Sequence, residues 1–586
     1  MWKFLILVVG VLFPWWSDAQ ESKEPWFITD VAVGDAGQVI LSCRGDKSLK
    51  ITDPQGRQVV KTIPLQQTPT GVIAKEGKAY VSCFDTRGEI VTVDLKEGKI
   101  VNTVPVGAGA EAPAWSKEED KIFVCNRFAG TVSEVDVKNG KVTREVKVLR
   151  EPSKVVVSPD GKYLFVANAL PAQRADVDYV ACCVSVIDLA SFQKVKDIRL
   201  ENGSNALRGA TLSPDGKYLF VSHNLGRFTV PTSQLQQGWM NTNAMSVVDV
   251  ASLEFKGAVL LDEPERGAAG VWGVECTPGY LIVSHSGTHE ISVIDYPELI
   301  KKFEAYPDKM ALNYDLHFLY GIRERIALKG NGPRNFIVRD QEVIVPMFFS
   351  DDLNRYDLNT KQLSEVALNP GRQETMAQKG ERIFNDAAFC FQNWQSCNGC
   401  HPGDARTDGM NWDLMNDGVG NSKNCKSLLL SLETPPCMIS GIRANAHVAN
   451  RAGFKYIQFM ELKEEDAACV DAYVASLKPV PSPYLVDGEL SEKAKKGRKV
   501  FERLKCDDCH SGPYYTDMKM HRIGEDIEFE QGWDTPTLIE VWRTAPYLFD
   551  GRAATMEEVF GVYKHGIDKK LSKTDLDALV EYVNSL

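Results

Sequence analysis

The sequence predicts a multidomain chain, an N-terminal all-β seven-bladed propeller followed by two mainly α domains. Three observations predict it. A phrase of about 40 residues, built from short alternating strands and tight turns, recurs through the first part of the chain. The string Cys-Xaa-Xaa-Cys-His occurs twice after it, at Cys397–His401 and Cys506–His510. The segments flanking those two strings repeat each other.

The first residues read as a cleavable export signal over 1–19. Lys3 is the basic flank, Phe4 to Pro14 is an apolar run too short to span a bilayer, and Ser17-Asp18-Ala19 supplies small residues at a cleavage site. No later stretch reaches membrane-spanning length, so the mature chain is expected to lack an integral membrane segment. Export points to a bacterial periplasm. The formal net charge of −12 and the lack of a basic stripe argue against nucleic acid as a partner.

Residues 30–370 carry the repeat. Gly77-Lys78-Ala79-Tyr80-Val81-Ser82 with Ile90-Val91-Thr92-Val93-Asp94 is one copy. Gly161-Lys162-Tyr163-Leu164-Phe165-Val166 with Val184-Ser185-Val186-Ile187-Asp188 is another. Copies begin near 31, 68, 111, 151, 207, 270 and 332. Period-2 alternation bounded by Pro-Asp-Gly turns makes each a set of antiparallel strands, and four strands per copy make a propeller blade. The array resembles the YVTN-type β-propellers, through Val166-Ala167-Asn168 and Val221-Ser222-His223. Aligning blades places Cys43, Cys83, Asn126, Asn168, His223, His285 and Met347 in one slot, either a metal-binding level or a strand-end turn. Cys43 and Cys83 are a candidate disulfide, and the adjacent Cys182 and Cys183 either a vicinal pair or two separate partners. Insertions at 170–182 and 224–243, the latter with Arg227, Trp239 and Met240, should project from one face toward the α domains.

Each Cys-Xaa-Xaa-Cys-His string holds the groups that covalent haem attachment needs: two thiols for the two vinyl groups and an imidazole for the iron. With 14 Cys and 9 His in 586 residues, a chance match has a probability of roughly 0.005, and two are on the order of one in 10⁵. The chain therefore reads as a dihaem c-type cytochrome, with Cys397, Cys400 and His401 on one haem and Cys506, Cys509 and His510 on the other. Lys379-Gly380-Glu381-Arg382-Ile383-Phe384 precedes the first string, and Lys496-Gly497-Arg498-Lys499-Val500-Phe501 the second. Helices ending at Leu477 and Leu586 close the two units. A helix before the haem and one at the end would cross to form a cytochrome c-like core, giving domains at 375–480 and 485–586 joined by the stiff Lys478–Pro483 linker.

Asp534-Thr535-Pro536-Thr537-Leu538 and Thr544–Arg552 come after the second string, with weaker counterparts at Asn424–Leu428 and Thr434–Gly441. Here the chain resembles the bacterial dihaem cytochrome c peroxidase/MauG family over about 375–586. The resemblance implies a reactive first haem held by His401 and an electron-transfer second haem held by His510. It implies an axial Tyr563 on the second iron, where the peroxidases have Met and MauG has Tyr. The residues alone leave Tyr563 as a packing residue, with Met520, His521 or His565 as ligand instead. The resemblance also implies one calcium ion between the haems, bound by Asn424, Asp534 and Pro536.

For the sixth position of the first haem, His447 and Met438 are candidates. The family's distal Glu comes after an Asp-Gly-Arg segment, whereas Gly441-Ile442-Arg443-Ala444-Asn445-Ala446-His447 carries no carboxylate. Peroxide turnover then needs His447 or a residue from the propeller to move the proton. Trp394, Trp412, Trp533 and Trp542 are candidate relays or core residues, and Cys390, Cys425, Cys437 and Cys469 are expected to form two disulfides.

Three functions fit these residues. The resemblance implies an enzyme that reduces hydrogen peroxide or uses it to oxidise a redox partner protein docked on the propeller. The second is an electron-transfer and binding protein with two six-coordinate haems. The third is a metalloenzyme built on the His223/His285/Cys slot.

Overall fold

The computed structural model describes residues 23–229, 240–413, 422–523 and 530–586. The signal reading on 1–19 and Trp239 lie outside the described residues. Among the described residues no helix is long and apolar enough to cross a membrane.

The repeats fold as seven four-stranded antiparallel sheets, each drawn from four consecutive strands. The innermost strands are Ile28–Val33, Pro69–Lys75, Ala110–Trp115, Pro152–Val157, Ser204–Leu212, Val271–Cys276 and Ile337–Arg339. The seven-bladed propeller is thus present. The Asp that ends each repeat closes the outer hairpin: Asp94, Asp136 and Asp188 accept from the backbone N–H three residues on, at 2.8 Å each. Blades pack through apolar layers, and the ring closes where Ile28, Val39 and Leu41 of the first blade meet Ile344 and Leu353 of the seventh. Asp351 fastens that seam by accepting from the Trp26 and Phe27 amides at 2.9 and 3.2 Å.

The seven-residue slot is a structural position. Asn126 donates to Ser133 at 2.8 Å and Asn168 to Ser185 at 3.1 Å, while His223 and His285 bond Ser246 and Ser292 at 2.7 and 2.8 Å. In these four blades the slot side chain ties the second strand to a serine on the third, so the imidazoles are spent on the sheet. Cys43 and Cys83 are not bonded. Cys43 packs between blades seven and one and Cys83 between blades one and two, and these are separate layers.

One helix, α1 (Tyr296–Ala305), interrupts the sixth blade and was not expected. Asp295 caps it by accepting from Glu298 N at 3.0 Å, with Pro297 in the first turn.

The rest of the chain forms two helical units of like construction. In the first, α2 (Met376–Asn385) crosses α4 (Glu464–Ser476), with α3 (Ala446–Tyr456) beside them. In the second, α5 (Glu492–Arg503) crosses α7 (Lys573–Asn584), with α6 (Met556–Gly561) in the place of α3. The crossings share one device, a glycine with no room for a side chain. A Cβ on Gly380 would lie 1.9 Å from the Cys469 carbonyl oxygen, and one on Gly497 would lie 1.9 Å from that of Ala578. Phe384 packs on Tyr473 at 5.2 Å and Phe501 on Tyr582 at 5.4 Å. Gly380→Ala or Gly497→Ala is therefore expected to destabilise by about 3 kcal/mol, because the clash is with backbone that cannot yield without parting the helices. Denaturant midpoints within experimental error of the parent would count against this crossing.

Candidate haem sites

His401 follows the short turn Cys397–Gly399, and its Nδ1 donates to the Arg406 carbonyl at 3.0 Å. His510 follows Cys506–Asp508 and donates from Nδ1 to the Tyr515 carbonyl at 3.1 Å. The same bond at the same spacing fixes the tautomer of both rings, leaving each Nε2 lone pair for a metal. Burial lowers the basicity of both imidazoles. Thr407 and Thr516 each donate to a carbonyl across their loop, Cys425 and Thr535, at 2.6 Å. The donor set in each unit, two neighbouring thiols and a neutral imidazole, fits a covalently held haem.

The two units differ on the far side. In the second, the His565 ring lies across from His510 with ring centres 6.3 Å apart. Two imidazoles on one iron require about 6.4 Å, two bonds of about 2.1 Å plus two ring radii of about 1.1 Å. Tyr563, expected as this ligand, is otherwise engaged: its hydroxyl donates to the Arg552 carbonyl at 3.0 Å. α6 ends at Gly561, and its buried residues are Met556, Val559 and Phe560. The turn after it carries His565 inward. Met520 and His521 are drawn off elsewhere, His521 onto Asp517 at 2.8 Å.

In the first unit α3 runs on to Tyr456. Counting from the paired caps Asn445 and Thr555, the counterpart of His565 is Lys455, which is salt-bridged to Glu461 at 2.6 Å on the surface. His447 is not a distal group. It is 57% exposed, on the outer side of α3, and its Nδ1 bonds Asp471 at 2.7 Å. Met438 is the counterpart of Leu548, both at φ +70° in matching loops.

The expected calcium ligands have other partners. Lys426 salt-bridges Asp534 at 2.9 Å, so an ammonium group supplies the positive charge there. The Asn424 side chain faces Asn411 at 3.1 Å. These residues instead join the units by a reciprocal exchange. Asn424 N donates to the Phe549 carbonyl at 2.8 Å, and Asp534 N donates to that of Ile439 at 2.9 Å.

None of the cysteines is bonded to another. Cys390, Cys437 and Cys469 pack apart, and Cys425 turns to the first haem motif, 3.3 Å from the Cys400 carbonyl. Cys182 and Cys183 point to opposite sides of their strand, so Cys182 is buried in a blade layer and Cys183 is not. Of the tryptophans, Trp533 stacks on Phe549 at 4.2 Å and 10°, and Trp412 donates to buried Asp408 at 2.8 Å. Trp542 packs on Phe128 of the propeller at 5.7 Å, and Trp394 is core.

Both insertions meet the helical units. Ala175 N donates to the Gly551 carbonyl at 2.8 Å, and Met240 packs with Met410 and Trp412. Arg227 turns back to Asn313 at 3.2 Å. Three contacts carry no signal in the sequence. Gln458 donates to Cys397 Sγ at 3.0 Å, and Asn241 donates to Cys400 Sγ at 3.3 Å. A buried ion cluster joins all three bodies, with Arg406 on Glu540 at 2.8 Å and Arg543 on Glu151 at 2.7 Å.

No family model matches the chain. It is 26% identical over 286 residues to hydrazine synthase subunit gamma of Kuenenia stuttgartiensis, spanning 38% of this chain and 80% of that one. It is 26% identical over 152 residues to the beta subunit of the same organism, 25% of this chain and 37% of that one. Among solved structures, a K. stuttgartiensis hydrazine synthase chain superposes with a TM-score of 0.52 at 18% identity, covering 59% of this chain and 99% of that chain. That likeness is one of fold. The relatives are subunits of one enzyme, which supports a redox role. The cytochrome c peroxidase/MauG resemblance stays one of motifs.

Proposed function

We propose that this chain is a periplasmic dihaem c-type oxidoreductase with cytochrome c-like domains, in which His401 would hold a haem open to a small ligand and His510 with His565 would hold a haem suited to relaying electrons. The observation that carries the reading is the asymmetry of otherwise duplicated units, an imidazole facing His510 and a surface lysine at the matching place in the first unit. Bound haem supplies one-electron chemistry and, at an open iron position, a site for a small molecule. The protein's share is to fix the tautomers of His401 and His510 and to hold the units together across the Asn424–Phe549 and Asp534–Ile439 exchange. The propeller serves as the platform that docks the units and a redox partner protein.

The relatives' name favours a small inorganic nitrogen compound as substrate. Their coverage fits a chain that unites counterparts of two subunits: 38% is about the size of the paired haem units and 59% about that of the propeller. Peroxide chemistry is the second reading. It needs a group to move a proton, and His447 is held at the surface by Asp471. The test adds stoichiometric hydroxylamine or hydrogen peroxide to the holoprotein and follows both haems spectrally. One haem is expected to respond quickly to hydroxylamine and weakly to peroxide. A fast response to peroxide alone would reinstate the peroxidase reading. If neither reagent, nor cyanide, perturbs either haem, the chain is an electron carrier.

A further inference from the structure

The innermost strands of all seven blades enclose an axial channel. Part of it is a cavity of about 370 Å³, closed on one side by Asn398, Pro402 and Asp404 of the first haem unit. One ring of residues, the position after the slot partner on each inner strand, faces this space. In three blades it is a hydroxyl that binds the next blade's carbonyl: Thr29 to Pro69 at 3.3 Å, Thr70 to Ala110 at 2.6 Å, and Ser153 to Leu207 at 2.7 Å. In blade three it is Glu111, whose carboxylate lies 3.8 Å from Arg127, and in blades five to seven it becomes Arg208, Trp272 and Arg334.

The two guanidiniums flank the indole. Arg208 Cζ is 4.3 Å and Arg334 Cζ 4.1 Å from the Trp272 ring centre, and Arg334 also lies 3.4 Å from that of Phe348. Other arginines nearby have carboxylates: Arg44 binds Glu381, Arg127 binds Glu151 and Arg406 binds Glu540. These two do not. Arg208 donates only to neutral oxygens, Val271 O and Asn398 Oδ1, at 3.2 Å each. Arg334 makes no side-chain hydrogen bond or ion pair among the described residues, and its Nε is buried without an acceptor. Burial and the neighbouring cations push both down to about 9, which still leaves them charged at neutral pH. Both side chains are half-buried, and the carboxylates within electrostatic reach of Arg334, Glu381 and Asp404, are engaged by Arg44, so a counter-ion pairing directly with the two guanidiniums relieves their cost.

We infer that the propeller channel holds a specific anion site between Arg208 and Arg334, selective for a small monovalent oxyanion or carboxylate. Guanidinium edges match the paired oxygens of such anions, and the Trp272 and Phe348 faces hold the forks in place. Selectivity for one charge comes from the roof. Desolvation disfavours the Asp404 carboxylate, but Arg44 and Arg127 keep it ionised; its side chain is 62% exposed and lines the cavity, so a doubly charged anion would meet a fixed carboxylate. This site lies on the side of the first haem motif that presents Asn398, and it does not depend on what either iron does.

Nitrate is a suitable probe. Calorimetry of the full-length holoprotein at constant ionic strength, with chloride replaced by nitrate, is expected to show saturable binding. Sulfate should bind about tenfold more weakly, and Arg208→Gln or Arg334→Gln should weaken nitrate by about tenfold or more, since each removes a charge-assisted contact. The haem absorption, followed in the same titration, should stay unchanged. No saturable heat in the parent overturns the proposal without reference to any variant. So does nitrate binding that survives both substitutions, or that tracks a haem spectral change and therefore sits on iron. If a glutamine variant does not fold, Arg334→Lys, which keeps the charge and loses the fork, should weaken nitrate, and undiminished binding there also overturns it.

Discussion

Replacing His565 with alanine is expected to convert the second haem from a low-spin, six-coordinate centre to a high-spin one. Low-temperature electron paramagnetic resonance should then lose one low-spin signal, with the first haem unaffected. The reason is geometric, since the 6.3 Å between ring centres is the spacing a shared iron would impose. Protonation agrees with it. Burial, with His510 alongside, pushes His565 down to about 4, so the ring is neutral and able to ligate throughout the physiological range. Loss of the ligand should also raise the haem potential by roughly 0.1–0.2 V, within the ≈0.8 V that axial ligands command. Tyr563→Phe should leave both the spectrum and the potential where they were, because its hydroxyl bonds only the Arg552 carbonyl. The opposite pattern, a change on Tyr563→Phe and none on His565→Ala, would return the phenolate to the iron.

The second large effect is at the junction of propeller and haem units. Arg543, 2% exposed, donates to Glu151 of the propeller at 2.7 Å, to Glu540 at 3.3 Å and to the Gly403 carbonyl at 3.0 Å. Arg543→Met should cost about 3 kcal/mol, the lower end for breaking a buried pair, since Arg127 and Arg406 still serve the two glutamates. The loss should appear as earlier release of the helical units in denaturant and faster proteolysis at the junction. Adding Glu151→Gln should recover part of it, because the stranded carboxylate is then gone. Acid should act like the first substitution. Burial disfavours the Glu151 carboxylate, but Arg127 and Arg543 hold it well below the usual range. Its contribution is therefore present above about pH 4.3 and fades as pH falls below that value. A denaturant midpoint unmoved by Arg543→Met would show that the junction does not stabilise the molecule.

The blades were legible because their signals are local. A Pro-Asp-Gly turn and a strand-ending Asp each fold on neighbours within a few residues, as the Asp94, Asp136 and Asp188 hairpins do. The haem motifs were legible for the same reason. What the sequence left illegible is long-range. Nothing near Asp534 in sequence announces Lys426, 108 residues away, as the cation that meets it. Nothing near His447 announces Asp471. Tyr563 and His565 differ by two positions, and the resemblance pointed to the first; because α6 stops at Gly561, the ring that comes to face His510 is that of His565. The cysteine pairings failed on geometry, since one slot repeated around a ring places its members in different layers.

Each blade takes its strands from its own stretch of chain, so no strand from one terminus is woven into the sheet of the other. The ring is held shut by the apolar seam of blades one and seven, by Asp351 on the Trp26 and Phe27 amides, by the Gln373 amide donating to the Lys23 carbonyl at 3.0 Å, and by Arg44 of the first blade on Glu381, beyond the seventh, at 2.6 Å. The clasp of the scaffold thus includes the first helix of the following unit, and a chain cut after its last blade would lose that part of it.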